Sequence, residues 1–369
     1  MLDERVIETE DKPHKTFAFL MEMQAGMRTQ YLNWRDVVSQ MPEITAEWIP
    51  ITYYKENGFI EKMKFLPNRV RQVARSYRQV EEGLGKTHFD AVLFNTYNPA
   101  VVHRRSVKQQ RAFLMFDVTP IQYDKMAVWY DQTPDNPRLW LTGYKHLRVC
   151  EAFQGAAGLI VWTHWAAQSA IQDYGADPKK ISIVPPGVDP HKWKPGVKPQ
   201  DGITRLLFTG GAFRRKGGDL LLKWAKNTQK KNWELHIVTY DPVENPPPGV
   251  IVHHGVDNNA PAFIQLAQSC DIFVLPTRAD CFSIASLEAM ATGMPVITCN
   301  VGGIGDIVRE GETGHLIEPE DYDALHDRIE SLLEAPERCA EMGRRGREIV
   351  IEHFDAKELV KRGIEVMAA

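Results

Sequence analysis

Two carboxylates stand closest to chemistry in this sequence. In the run DIFVLPTRADCFSIASLEAMATGMPVITC, an apolar strand ends at Leu275-Pro276 and a polar loop follows from Thr277 to Ser283. A helix is expected from about Ile284 to Gly293, and a new strand from Pro295. Asp280 lies in the loop and Glu288 comes eight positions later, inside the helix. Such a loop delivers one carboxylate, several backbone N–H groups and the partial positive charge of a helix N-terminus to one end of a sheet. Taken singly, Asp280 reads as loop polarity and Glu288 as a solvated helix face. Glu288, however, is followed by Ala289, Met290 and Ala291 in an otherwise apolar helix, where a carboxylate needs a partner. Acidic residues in other α/β nucleotide sites find that partner in a ribose diol.

A second constellation is basic. In LLFTGGAFRRKGGDLLLKW a strand ends at Thr209, Gly210 and Gly211 make a turn, and a helix begins after Gly217-Gly218. Glycines let a backbone approach a ligand closely. Arg214, Arg215 and Lys216 add positive charge beside the turn. A pyrophosphate needs such partners both when bound and when it leaves. On spacing alone, a phosphate clamp and a solvated basic loop are evenly matched. The run is not a Walker A loop, since no Gly-Lys-Ser/Thr follows a four-residue spacer.

The elements that must position these groups alternate throughout. KTFAFLME, EWIPITYY, FDAVLFN, RAFLMF and GLIVW read as strands, with helical patterns between them. KISIVPPGVDPHKWKPGVKPQDG is rich in proline and glycine and breaks the alternation. The alternation then restarts with RLLFT, WELHIV, VIVHH, DIFVLP, PVITC and GHLIE as strands. The pattern is that of parallel sheets covered by helices on both faces, in two units. An N-terminal unit over 1–187, a linker over 188–202 and a C-terminal unit over 203–354 are expected, with a last helix over 355–369, N-capped by Asp355, that joins the first unit. A length of 369 residues suits two cores. The net charge of -4 argues against general nucleic-acid binding.

Five cysteines without Cys-x-x-Cys spacing argue against a disulfide framework or a zinc site and fit a reducing cytosol. The opening residues MLDERVIETEDKPHK lack the apolar core of a signal peptide, and no run is apolar enough to span a bilayer. The expected location is cytoplasmic, with any membrane contact peripheral.

The first run resembles the signature of retaining glycosyltransferases of family 4, which have the GT-B fold. That family carries two acids separated by seven residues, followed by Ala-Met-Ala-x-Gly-x-Pro-Val; here the string is D-CFSIASL-E and then AMATGMPV. Asp280 stands where most members have Glu, which sets its carboxylate back by roughly 1.5 Å. The resemblance implies that Glu288 holds the donor ribose, while Asp280 and the backbone of Phe282, Ser283 and Ile284 face the sugar and phosphates. Gly210, Gly211, Arg215 and Lys216 then form the phosphate clamp; Gly211 stands where many members have Arg, and Arg215 is expected to substitute. Two further segments resemble the family, KKISIVPPGVD at its hinge and NVGGIGDIVREGETGHLIEP, with Asp306 where Glu is usual. Gly302 and Gly303 read there as a turn near the donor sugar.

The N-terminal half is less readable. Gly26 falls just after the first strand, where the resemblance places the acceptor-side loop. Asp117 ends the strand LMF, and either orients an acceptor hydroxyl or caps the turn at Thr119-Pro120. Arg69, Arg71, Arg75 and Arg78 mark one face of a helix whose other face is Val70, Val73, Ala74, Tyr77 and Leu84. A solvated face is the favoured reading, and docking on anionic lipid the other. His253-His254 points to two faces of a strand and makes a poor metal site, and Asp321 reads as a helix cap.

The expected function is a retaining, metal-independent hexosyl transfer from a nucleotide-diphosphate sugar to a hydroxyl of a glycan, lipid-linked or small-molecule acceptor. No metal and no cofactor beyond that co-substrate is expected. Catalytic roles fall to Asp280, Lys216, Arg215 and Asp117. An epimerase or hydrolase on the same fold, or a silent nucleotide-sugar-binding protein, are the alternatives.

Overall fold

The computed structural model describes residues 14–23, 25–256 and 260–369. Strand and helix alternate along the first half as β1 (Lys15–Glu22), α1 (Ala25–Val38), β2 (Ile44–Ile51), α2 (Phe59–Lys62), α3 (Asn68–Leu84), β3 (Ala91–Phe94), α4 (Tyr97–Val102), α5 (Arg104–Gln109), β4 (Ala112–Phe116), α6 (Pro120–Met126), α7 (Trp140–Gly155), β5 (Gly158–Val161), α8 (His164–Gln172) and β6 (Ile181–Ile183). These strands form one six-stranded sheet in the order β2-β1-β3-β4-β5-β6.

The second half runs β7 (Thr204–Thr209), α9 (Gly218–Asn227), β8 (Trp233–Thr239), β9 (Val250–His254), α10 (Pro261–Ser269), β10 (Ile272–Leu275), α11 (Ile284–Ala291), β11 (Val296–Cys299), β12 (Gly314–Ile317), α12 (Tyr322–Glu334), α13 (Pro336–His353) and α14 (Ala356–Ala368). Its sheet has the order β12-β11-β10-β7-β8-β9, and every neighbouring pair is parallel. The central strands β3, β4, β5, β10 and β11 are buried at every residue, as a parallel sheet covered on both faces requires. By contacts, one compact unit holds the residues up to Met115, Glu151–Leu159 and Gly363–Ala369, and the other holds Phe116–Cys150 and Ile160–Arg362. At the chain's end, the Asp355 carboxylate accepts from Lys357 N at 2.8 Å, the expected cap of α14.

Several elements differ from the sequence reading. β2 lies about one helical turn's worth of residues earlier than EWIPITYY suggests, because Tyr53 adopts φ 57° and ends the extended run. Pro50, opposite Met21, is tolerated since β2 is an edge strand. β6 is a three-residue strand hidden in the proline-rich stretch, and α4, α5, α6 and α8 are short helices whose periodicity is too brief to register. The arginine face of α3 is also not uniformly solvated. Arg75 is buried and grips the Glu61 carboxylate with Nε (2.8 Å) and Nη2, while Val70 and Val73 face solvent.

Helix α11 is placed by its ends and by α13. Gly293 takes φ 84°, its N–H donates to Met290 O (3.0 Å), and Met294 N donates to Ala289 O (3.0 Å). This is a Schellman stop, and the left-handed residue explains the glycine. On α13, a side chain at Gly343 would be driven into the carbonyl oxygen of Gly293. An alanine in a helix interior normally stabilises by about 0.5–1 kcal/mol relative to glycine. Gly343→Ala is therefore expected to reverse that sign and lose about 1–3 kcal/mol through overpacking. Reversible denaturation of the two proteins measures it; a variant as stable as the parent would show that α13 does not bear on this turn.

Candidate functional site

Open parallel sheets bind ligands outside the carboxyl ends of their strands, at the point where strand order reverses. In the second sheet that point lies between β7 and β10, since β7 has β8 on one side and β10 on the other. The two candidate loops leave from the carboxyl ends of these two strands, at Gly210 and Pro276. They interlock. Arg278 N donates to Arg215 O (2.9 Å), Thr277 Oγ1 donates to Ala279 O (3.1 Å), and Arg215 Nη1 donates to Ala279 O (2.7 Å). Lys216 Nζ forms an ion pair with the Asp280 carboxylate, and both side chains are largely buried. Gly217 has φ 82° and lies so close to the Pro276 carbonyl that no side chain would fit. Gly210 packs on the Lys216 stem, whereas Gly211 faces Tyr240 at ordinary contact distance. The structure thus brings Gly210, Arg215, Lys216 and Asp280 together.

The residue that fastens the two loops is Arg278, which the sequence reading did not single out. It is buried, donates to both Asp219 oxygens (2.6 and 2.9 Å), pairs with Glu320, and donates to the carbonyl of Arg214. Its guanidinium also lies 5.2 Å from the Trp129 ring. Tyr130 does the same for Arg215, whose guanidinium carbon sits 4.5 Å above its ring. An arginine between Pro276 and the apolar α11, with an aspartate in the first turn of α9, was the available signal.

At the start of α11, Ser283 is the N-cap; its hydroxyl accepts from Ser286 N (3.2 Å) and from Ser286 Oγ (2.8 Å). The N–H groups of Ile284 and Ala285, the first two of the helix, have no intrahelical acceptor and lie at its positive end. Phe282 is buried edge-on against Trp162, with ring centroids 5.7 Å apart. Gly302 has φ 58° and touches the Asp280 carbonyl, and Gly303 N donates to Cys281 O (2.9 Å) while packing on Thr163. These glycines form more than a turn: they bring a third backbone segment against the Asp280–Phe282 loop. Asp306 accepts from the N–H of His164 (2.6 Å) at the start of α8.

Glu288 lies one turn into α11, buried, and its carboxyl group has no hydrogen-bond partner among the described residues. Burial pushes it up to about 8, and the distant charge of Lys192 only partly offsets this. The solvated-face reading of Glu288 is therefore overturned. In the loop before α11, Cys281 is also buried, and its thiol is held well above the ordinary range first by burial and then by the charges of Asp117 and Asp280.

Asp117, just past the end of β4, thus lies within electrostatic reach of the same loop. It does not cap the next helix. Thr119 does, in a reciprocal capping box with Gln122. Gly26 falls in the first turn of α1 rather than in a loop, and its surroundings lie outside the described residues. The first sheet has a polar cluster of its own that sequence reading missed. Order reverses there between β1 and β3, and Glu22, the last residue of β1, accepts from Tyr53 Oη and Thr96 Oγ1. Burial raises the Glu22 pKa despite those donors.

Two sheets of this kind define the GT-B fold, and solved structures agree. Sucrose-phosphate synthase from Thermosynechococcus elongatus matches with a TM-score of 0.74 over 96% of this chain and 98% of that one, at 16% identity. Anabaena Alr3699/HepE in complex with UDP-glucose matches with a TM-score of 0.68 over 96% of this chain and 100% of that one, also at 16% identity. Residues 191–349 match the family model described as glycosyl transferases group 1. A D-inositol 3-phosphate glycosyltransferase from Arthrobacter sp. (strain FB24) is 29% identical over 213 residues, 52% of this chain and 50% of that protein. Its counterpart from Segniliparus rotundus is 30% identical over 212 residues, 51% and 47% of the two chains. The chain spans about half the length of the curated relatives it matches.

The buried Glu288 has a consequence for stability. Below about pH 4.5 its carboxyl is protonated in both folded and unfolded chains; between there and about 8 only the unfolded chain gives up the proton. The stability it contributes is thus present at acid pH and lost as pH rises through about 8. Glu288→Gln removes this dependence, so the variant should gain on the parent as pH rises from 5 to 8, by at most a few kcal/mol at about 1.4 kcal/mol per unit. Denaturant melts at several pH values check this; a gap that stays constant would mean that Glu288 is ionised in the folded protein.

Proposed function

We propose that this protein is a retaining glycosyltransferase that moves a hexosyl unit from a nucleotide-diphosphate sugar to a hydroxyl acceptor, with no metal ion. One observation carries the reading: a buried carboxyl without a partner, Glu288, stands one turn from uncapped helix N–H groups, on the loop pair that also holds Arg215, Lys216 and Asp280. A buried polar group of this kind is stabilised when a ligand supplies its hydrogen bonds. A ribose diol would do so at Glu288. The Ile284 and Ala285 N–H groups, with Arg215 and Lys216, would take the diphosphate and stabilise it as it leaves. The group 1 family match over this segment and the UDP-glucose held by the Anabaena neighbour support the assignment of the donor class.

In the free protein both cations are already engaged, Lys216 with Asp280 and Arg215 with a carbonyl. Donor binding then works by exchange. A phosphate takes Lys216, and the released Asp280 carboxylate accepts from a sugar hydroxyl. No side chain on these loops is placed as a nucleophile. The acceptor oxygen would bond to the anomeric carbon on the face that the diphosphate leaves. Its proton would pass to the departing phosphate oxygen, so that charge and atoms balance. Asp117 would orient the acceptor hydroxyl.

A panel of nucleoside diphosphates in a thermal-unfolding assay tests the binding step. One of them should stabilise the protein, by about 2.7 kcal/mol at a hundredfold excess over Kd. Glu288→Ala should abolish that gain. Lys216→Ala should lower transfer by roughly a hundredfold or more. Rapid release of free or epimerised sugar from the donor alone would overturn the transferase reading, and a panel with no stabilising member would overturn the donor site itself.

A further inference from the structure

Exposed large apolar side chains crowd one short stretch of the chain. Phe65 is 81% exposed, Phe59 69% and Tyr54 61%, and Val70 and Val73 are about half exposed. Single exposed apolar residues are ordinary on any protein. Five within residues 54–73, with three of them aromatic, are not. They are also carried on a braced platform. α2 is tied to α3 by the Arg75–Glu61 ion pair and by Arg71 Nη1 donating to Glu61 O (3.2 Å).

The charge around these side chains is one-sided. Lys55, Lys62 and Lys64 are exposed, as is Arg69, and among the described residues none of the three lysines has an acidic partner. Of the two acids in the stretch, Glu61 is taken up by Arg75, which leaves Glu56. A local excess of positive charge thus stands on a protein whose net charge is -4. This pattern selects the occupant. A second copy of the same surface would set lysines against lysines. An anionic bilayer offers phosphate for the ammonium groups and an interfacial layer in which aromatic rings partition, while long lysine stems reach back to the headgroups.

We propose that the exposed side chains of Tyr54, Phe59, Phe65, Val70 and Val73, with Lys55, Lys62 and Lys64 interspersed among them in the chain, dock this protein on an anionic lipid surface. The arginine face of α3 suggested by the sequence is not the docking element, since Arg75 is consumed inside the fold. The proposal does not depend on the transferase reading.

Vesicle co-sedimentation of the full chain tests it, with phosphatidylcholine alone against an equal mixture with phosphatidylglycerol. The protein should sediment with the anionic vesicles only, and less so as salt rises. Lys62→Glu with Lys64→Glu, and separately Phe59→Ser with Phe65→Ser, should each weaken binding about tenfold or more. Both pairs are exposed, so their thermal midpoints should match the parent. Three outcomes would overturn the proposal. One is equal binding to neutral vesicles, or none to either. Another is binding that survives both pairs but is lost with Trp140→Ser and Tyr144→Ser, which moves the surface to α7. The third is concentration-dependent self-association abolished by Phe59→Ser with Phe65→Ser, which assigns the patch to a second copy.

Discussion

The candidate site depends on one close approach, that of Gly217 to the carbonyl of Pro276. Strand order reverses between β7 and β10, so the two loops that leave those strands diverge unless something holds them. A glycine in the left-handed region lets the first loop turn back against the second, and Arg278 then joins them from the other side. Buried and paired with Asp219 and Glu320, the Arg278 guanidinium also satisfies the carbonyl of Arg214. Removing it would leave the Arg214 carbonyl without this donor and the two loops without their shared clasp. A buried ion pair contributes little to net stability but fixes geometry when its hydrogen bonds are complete. The position of Lys216 relative to Asp280 follows from this lock.

The electrostatics of the loops follow the same logic. Lys216 and Arg215 are each held by a protein acceptor, which avoids a buried unpaired charge in the free state. The carboxyl of Glu288 is the exception, and the protein tolerates it by shifting its pKa upward. Paired cations and a neutralised acid leave these loops without an uncompensated buried charge.

The parallel architecture was legible because continuous apolar runs such as AVLF and IFVL can only be buried strands in a chain with helices between them. The Asp280–Glu288 segment was legible because its turn residues, Pro276 and Gly293, and its apolar helix leave few alternatives. Arg278 was not, because its value lies in partners 59 and 42 positions away. Nor was Glu22, which ends an unremarkable strand and meets Tyr53 and Thr96 only after β1 pairs with both β2 and β3. Arg75 failed in the opposite sense. Periodicity placed it on a charged helix face, but Glu61, from a helix of only four residues, draws it inside. Local pattern reports burial; it does not report which distant group will complete an ion pair.

The two sheets arrive at a common arrangement by separate means. In each, the point where strand order reverses is marked by a carboxylate held among donors: Glu22 with Tyr53 and Thr96 in the first sheet, Asp280 with Lys216 in the second. The partners differ in a way that matters. Tyrosine and threonine hydroxyls are neutral and exchange readily for the hydroxyls of a sugar or polyol, with no change in net charge. A lysine–aspartate pair exchanges only for a ligand that brings its own negative charge. The carboxylate of the first sheet is accordingly held by neutral donors and that of the second by a charged one. The charged pair lies within residues 191–349, the segment that matches the group 1 family model, and the neutral cluster lies outside it.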